Sequence, residues 1–234
     1  MTTRRQPEQQ APPAQRLRVR YAKRGRARFA SSRDFSRALE RALRRAGIPM
    51  AFSSGFSPHP RISYANASPT GAATESEYLE LGLAAILDPG QVRDALNAAM
   101  PDGLVILDVV EARPGALADR LTASRWEILL GDVDPDELAG AVAELLAAEH
   151  VEVERMTKTG LRRFDARGAV ISLTAAGDRL ELVSAISEPL VRPDDVVQAL
   201  QLLRPALKTP TPPLLTRLEH GFWDGGRILD PLAD

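Results

Sequence analysis

The sequence predicts an α+β fold made of two tandem ferredoxin-like sandwiches of βαββαβ type, each with helices on one face of an antiparallel sheet. Three observations predict it. Segments with strand and helix periodicity follow one another in the same order twice along the chain. A shift in composition at Arg113-Pro114-Gly115 separates the two runs. A length of 234 residues is enough for two domains of about 100 residues, each with its own core. The expected layout is a disordered tail over 1–15, a basic unit over 16–113, a second unit over 120–223 and a closing tail over 224–234.

Residues 1–15 are polar, contain Pro7, Pro12 and Pro13, and lack any periodicity on which a core could form. The order Arg-Leu-Arg-Val-Arg-Tyr over 16–21 alternates strictly, which predicts a strand with Leu17, Val19 and Tyr21 on one face and three arginines on the other. Residues 23–26 read as a turn and 27–30 as a short paired strand. Ser31 or Ser32 then caps a helix, with Asp34 placed in its first turn against the helix dipole. That helix runs to about residue 46 and stops at Gly47, with Pro49 beyond. Phe35, Leu39, Ala42, Leu43 and Ala46 share one sector of about 100°, while Arg33, Arg37, Arg41, Arg44 and Arg45 share a sector of about 120° opposite. One face packs, and the other is a comb of arginines.

The stretch 53–71 is rich in Ser, Gly, Pro and Asn and reads as a long loop or hairpin, a length that in compact domains is more often functional than not. A strand over 77–83, a helix opening at Pro89 and a strand over 104–110 complete the first unit. In the second, a strand over 125–130 precedes a helix over 134–149 with Asp134 as N-cap and Pro135 at its first position. Strands follow over 151–157, 169–174 and 179–185, the last two joined at Gly177-Asp178. A helix over 193–203 and a strand over 214–220 close the unit.

Composition excludes several classes. With 44% hydrophobic and 26% charged residues the chain is an ordinary globular protein. No stretch approaches the roughly 20 apolar residues of a bilayer span, and no apolar core follows the first positive charges, so a cytoplasmic protein without a membrane partner is expected. Cysteine is absent, which excludes disulfides, thiolate zinc sites and an iron–sulfur cluster held by this chain. His59, His150 and His220 have no second ligand at helical or hairpin spacing, so neither a metal nor another cofactor is expected.

Charge is the most informative property. Residues 1–64 carry fifteen basic and three acidic side chains, a net +12, so the remainder, from totals of 30 and 31, is −13. Almost all the early cations are arginine, which suits bidentate phosphate contacts. Such a surface, with its cations facing outward together, calls for a polyanion. RNA is the expected partner, and an acidic protein surface is the alternative. The candidate phosphate contacts are Arg18, Arg20, Arg33, Arg37, Arg41, Arg44, Arg45 and Arg61.

A loop site of Ser53, Gly55, Phe56, Pro58 and His59 would add stacking on Phe56 or His59, unless Phe56 plugs the core of a rigid turn. Lys158, Arg162, Arg163, Asp165 and Arg167 read as a basic hairpin tip with Asp165 paired locally, or as the second wall of a cleft. Glu75, Glu77 and Glu80 read as a solvated edge. His59 has no nucleophile or orienting carboxylate at a readable spacing, so no catalytic residue is assigned. An enzyme acting on a small anionic substrate would need a deep, closed pocket around His59.

The runs Arg-Phe-Ala-Ser-Ser-Arg-Asp-Phe-Ser-Arg (28–37), Arg-Ala-Leu-Arg-Arg-Ala-Gly-Ile-Pro (41–49) and Ser-Ser-Gly-Phe-Ser-Pro-His-Pro-Arg-Ile-Ser (53–63) resemble the radical SAM-linked protein family, a bacterial domain of unknown function. The match continues through Pro69-Thr70-Gly71 and Ser76-Glu77-Tyr78-Leu79, and resumes at Thr157-Lys158 and Asp165-Ala166-Arg167. Gly-Phe-Ser-Pro-His-Pro is its most specific part. The resemblance implies association with a radical SAM protein. Where the family usually has histidine at the start of the first helix this chain has Ser32, which removes any acid–base or metal role there. Together these readings describe a non-catalytic RNA-binding or substrate-presenting module acting with a radical SAM enzyme in tRNA or rRNA modification or processing.

Overall fold

The computed structural model describes residues 9–158 and 160–233, so residues 1–8 of the tail expected over 1–15, with Arg4, Arg5 and Glu8, lie outside the described residues. The end of that stretch is not a free tail, because the Ala14 N–H bonds the Leu83 carbonyl at 2.8 Å and Gln15 opens the first strand. The protein is α+β, with antiparallel sheets and, among the described residues, four α-helices. The chain divides into two units between Asp119 and Arg120.

The first unit runs β1 (Gln15–Lys23), a 3-10 turn (Gly25–Phe29), α1 (Ser32–Arg45), β2 (Ile62–Ala65), β3 (Ala73–Leu83), α2 (Pro89–Ala99) and β4 (Leu104–Glu111). Its strands lie in the order β4-β1-β3-β2, each neighbouring pair antiparallel. Leu17 and Val19 of β1 and Leu79, Leu81 and Leu83 of β3 bury one face of this sheet against Phe35, Leu39 and Leu43 of α1 and Val92 and Leu96 of α2. Tyr21 stacks on Phe35 with ring centroids 4.1 Å apart.

Local chemistry explains why α1 begins and ends where it does. The Ser31 hydroxyl accepts the Asp34 N–H at 3.2 Å, and the Asp34 carboxylate accepts the Ser31 N–H at 3.2 Å, a capping box. The Ser31 hydroxyl and N–H, then the fields of Arg37 and Arg33, hold the Asp34 carboxyl below its usual range against the small opposing effect of burial. At the other end Gly47 takes φ +67°, a left-handed conformation that costs glycine nothing. The Ile48 N–H then reaches back to the Leu43 carbonyl at 3.0 Å and closes the helix.

Two expectations in this unit are corrected. Residues 27–30 are not a strand: the Ala27 N–H bonds the Arg24 carbonyl and the Ala30 N–H bonds the Ala27 carbonyl, so local turns consume the groups a ladder would need. Of the two readings of 53–71, loop or hairpin, the purely loop one is set aside, because Ile62–Ala65 pairs antiparallel with β3 as β2.

The second unit runs β5 (Ala123–Leu129), α3 (Pro135–Ala147), β6 (Glu152–Thr157), β7 (Gly160–Asp165), β8 (Val170–Ala176), β9 (Arg179–Ala185), α4 (Pro193–Leu203), β10 (Leu214–Trp223) and β11 (Ile228–Leu229). Four of its strands lie in the order β10-β5-β9-β8, while β6 and β7 pair only with each other as a hairpin. The sequence reading omitted β7. It also left 224–234 as a tail, where the structure pairs β11 with β10 and buries Leu232.

His220, on β10, is buried, with Nδ1 2.9 Å from the Ser124 hydroxyl and 3.0 Å from the Ala123 carbonyl oxygen. Burial, reinforced by the Arg217 charge, pushes its pKa from 6.5 down to about 3. The unfolded chain therefore takes up a proton below 6.5 that the folded chain refuses until about 3, and stability falls as pH drops through that window. Urea denaturation of the wild type is expected to show this contribution as a loss on the order of 1 kcal/mol per pH unit on acidification. His220→Gln should lack it, so parallel pH profiles in the two proteins would contradict the assignment.

Candidate nucleic-acid interface

The early cations fall into two sets that differ in what surrounds them. Arg33, Arg37, Arg41 and Arg44 are exposed on α1, each about one helical turn from the next. Among the described residues no carboxylate forms an ion pair with any of them. The two acids of the helix are placed elsewhere, Asp34 in the cap and Glu40 on the flank facing Tyr64. Arg44 is steadied by donating Nε–H to the Glu40 carbonyl at 3.2 Å. Arg45, expected in the same row, turns toward α2 and donates to the Ala99 carbonyl at 3.2 Å.

Exposed aromatic rings stand near this row in sequence. Phe29 is 57% and Phe56 71% exposed, and the Arg28 guanidinium sits 4.6 Å from the Phe29 ring centroid, a cation–π contact. Phe56 therefore does not plug the core.

The second set belongs to the fold. Arg18 is 1% exposed: its Nη2 donates to the carbonyls of Arg113 at 3.0 Å and Gly115 at 2.5 Å, and its Nε lies 3.4 Å from a Glu80 carboxylate oxygen. Arg20 donates to the Glu75 carbonyl at 2.9 Å, and Arg24 forms a bidentate pair with the Glu75 carboxylate. The alternation predicted over 16–21 is real. Its outward face is nevertheless not solvent, because β1 lies between two strands and the 113–115 backbone covers Arg18. The expectation that all these cations face outward together is corrected accordingly, and Arg18 is withdrawn as a phosphate contact.

The glutamates of β3 are corrected as well. Glu77 is fully buried and accepts the Ser68 N–H at 3.1 Å, organising the preceding loop, while Glu80 carries ion pairs to Arg16 and Arg18. Neither is a solvated edge.

The predicted loop is held by its own hydrogen bonds. The Ser53 N–H donates to the His59 carbonyl at 2.9 Å, the His59 N–H donates to the Ser53 hydroxyl at 3.2 Å, and Arg61 Nε donates to the Phe52 carbonyl at 3.0 Å. Gly55, at φ +127°, supplies a conformation L side chains rarely adopt, and Pro58 and His59 are exposed. Ser53, His59 and Arg61 line a groove of 250 Å3 together with Arg16, Ser63 and Glu80. The last three also border an adjoining cavity of 590 Å3 walled by residues 112–118. Ser63 and Glu80 are register partners on the sheet face turned away from the helices. The loop residues and the α1 arginines are thus not gathered into one site. Arg16, Ser63 and Glu80 were missed from sequence because Ser63 sits in a four-residue strand that carries little periodicity.

In the second unit Lys158 and Arg162 are exposed on the β6–β7 hairpin, and Arg163 pairs with Glu154 at 2.7 Å. Asp165 accepts N–H bonds from Val151, Arg167 and Gly168, and Arg167 donates to the carbonyls of Val170 and Leu146. Burial alone would raise the Asp165 pKa; those three N–H groups and the nearby His150 outweigh it and hold the carboxyl below its usual range. These contacts follow the local-hairpin reading, with Asp165 and Arg167 fixing the turn after β7.

Among the described residues no group of three or more histidines or carboxylates could hold a metal ion, and no helix is long and apolar enough to cross a membrane. Fold and surface define an α+β protein whose first helix displays a row of arginines that have no carboxylate partners among the described residues. Residues 16–193 match the family described as an uncharacterized protein conserved in bacteria (DUF2344), and the chain belongs to that family. No curated protein matches it. Among solved structures it is similar to one described as an unknown protein from Galdieria sulphuraria, with 16% identity, a TM-score of 0.26, and coverage of 87% of this chain and 98% of that one.

The two arginine sets should separate in stability measurements. Arg18→Ala strands two carbonyls and removes the buried one of the two cations paired with Glu80, and is expected to cost about 3 kcal/mol. Arg37→Ala should change the unfolding free energy from urea denaturation by no more than about 0.5 kcal/mol. Equal losses in the two variants would show that the division is wrong.

Proposed function

We propose that this protein is a non-catalytic RNA-binding module that presents tRNA or rRNA to a radical SAM enzyme. The observation that carries the reading is the row Arg33, Arg37, Arg41 and Arg44, exposed and without ion-paired carboxylates among the described residues. Like charges within one Debye length of roughly 8 Å repel, and a phosphate backbone relieves that repulsion. Exposed Phe29, four residues before Arg33, is a ring on which an unpaired base stacks. The radical SAM partner rests on the resemblance carried by Gly-Phe-Ser-Pro-His-Pro over 55–60. We further propose that each unit is a ferredoxin-like sandwich. The strand orders β4-β1-β3-β2 and β10-β5-β9-β8 support this, with the β6–β7 hairpin as an insertion in the second.

Four phosphate contacts on a single strand predict a slope of about −3 in a plot of log affinity against log salt. Arg37→Glu combined with Arg41→Glu and Arg44→Glu should abolish binding to tRNA and to unstructured RNA in filter-binding assays. Unchanged RNA affinity in that variant would sink the reading. A stoichiometric protein partner that survives nuclease treatment and is lost in the same variant would favour an adaptor that docks an acidic protein surface.

A further inference from the structure

Beside the arginine row, on the flank of α1 opposite its contact with α2, the chain turns back after Gly47 and encloses a pocket of 330 Å3. Buried Leu43 and Ile48 form its deep side, and Met50, Phe52 and Pro60 complete its apolar lining. Glu40 and Arg44 bring charge to it. The volume falls within the range of small-molecule sites.

Three features define what fits. The Phe52 ring is 43% exposed, yet its backbone is fixed by the bridge to Pro60 and by the Arg61 hydrogen bond to its carbonyl. It is therefore a preorganised apolar plate and not a side chain left over from packing. Arg44 belongs to both the pocket and the carboxylate-free row, so a ligand entering here extends from an anion bound along α1. Glu40, finally, is half-buried, and among the described residues no donor hydrogen-bonds to its carboxylate and no cation forms an ion pair with it. A purely apolar occupant would desolvate that carboxylate without supplying a donor, which is unfavourable. A planar ring with an exocyclic amino group supplies the donor and the stacking face together.

Resting on the RNA-binding reading, we propose that this pocket takes one unstacked, amino-bearing nucleobase, adenine, cytosine or guanine in preference to uracil, from a single strand whose phosphates lie along α1. Phe52 stacks the base, Glu40 accepts from its amino group, and Arg44 holds the adjoining phosphate.

Fluorescence anisotropy with labelled oligo(A), oligo(C), oligo(U) and a short RNA duplex tests this. The wild type should bind oligo(A) and oligo(C) several-fold more tightly than oligo(U). Phe52→Ala should weaken oligo(A) and oligo(C) about tenfold, as expected for one lost base–aromatic stack, while leaving duplex affinity and the salt slope unchanged. Glu40→Leu keeps the bulk of the side chain and should erase the preference over oligo(U) without weakening oligo(U) itself. A wild type that binds all three strands alike, or a Phe52→Ala variant that loses duplex affinity equally or nothing at all, overturns the pocket while the phosphate interface stands. A wild type that binds no RNA overturns both. Circular dichroism of each variant separates lost binding from lost fold.

Discussion

Four guanidinium groups within twelve residues of one helix, with no carboxylate paired to any of them among the described residues, are the constraint from which the functional reading of this protein follows. Their arrangement is forced from below. Phe35, Leu39, Ala42 and Leu43 must lie against the sheet to close the core of the first unit, and helical geometry then turns positions 33, 37, 41 and 44 outward. A helix with this pattern would ordinarily carry acids interspersed at i+3 or i+4 to compensate. Here Asp34 is committed to the cap, and Glu40 faces Tyr64 on the flank. Mutual repulsion along the row is thus built into the helix.

The strand arginines illustrate the opposite use of the same side chain. Arg18 lies on an internal strand beneath the backbone at 113–115, where its guanidinium satisfies carbonyls that would otherwise be stranded and neutralises Glu80. Arg24 is consumed by Glu75, and Arg20 by a carbonyl. The planar fork that makes arginine a phosphate ligand also makes it a cross-link between irregular backbone and sheet. Residue type and sequence proximity therefore do not decide which role an arginine plays. Desolvation and the acceptors within reach do.

Much of the first unit was legible in the sequence. The α1 boundaries, its cap and both of its faces followed from Ser31, Asp34, Gly47 and the helical period, because all of these are set within a few residues of one another. The strand at 16–21 was also legible as a strand. What covers its second face was not, since the acceptors for Arg18 lie at Glu80, Arg113 and Gly115, far along the chain. β2 and β7 were missed for a related reason: each is short, pairs with a single neighbour and is largely exposed, so neither imprints a clear alternation on its residues. The pocket beside α1 was invisible for the same cause, as it joins positions 40–44 to 48–52 and 60 through a turn whose path the sequence does not specify.

By itself, then, the sequence determined an α+β chain with an excess of arginine at one end and a helix obliged to present part of that excess outward, because helical amphipathy is a property of neighbouring residues. Only the tertiary structure decided which cations stay available. It buried Arg18 under a distant segment, sent Ser53, His59 and Arg61 to the sheet face opposite the helices, and left Arg33, Arg37, Arg41 and Arg44 without carboxylate partners among the described residues. Burial and charge pairing depend on which segments, remote in sequence, pack over a given side chain, and no local periodicity encodes that.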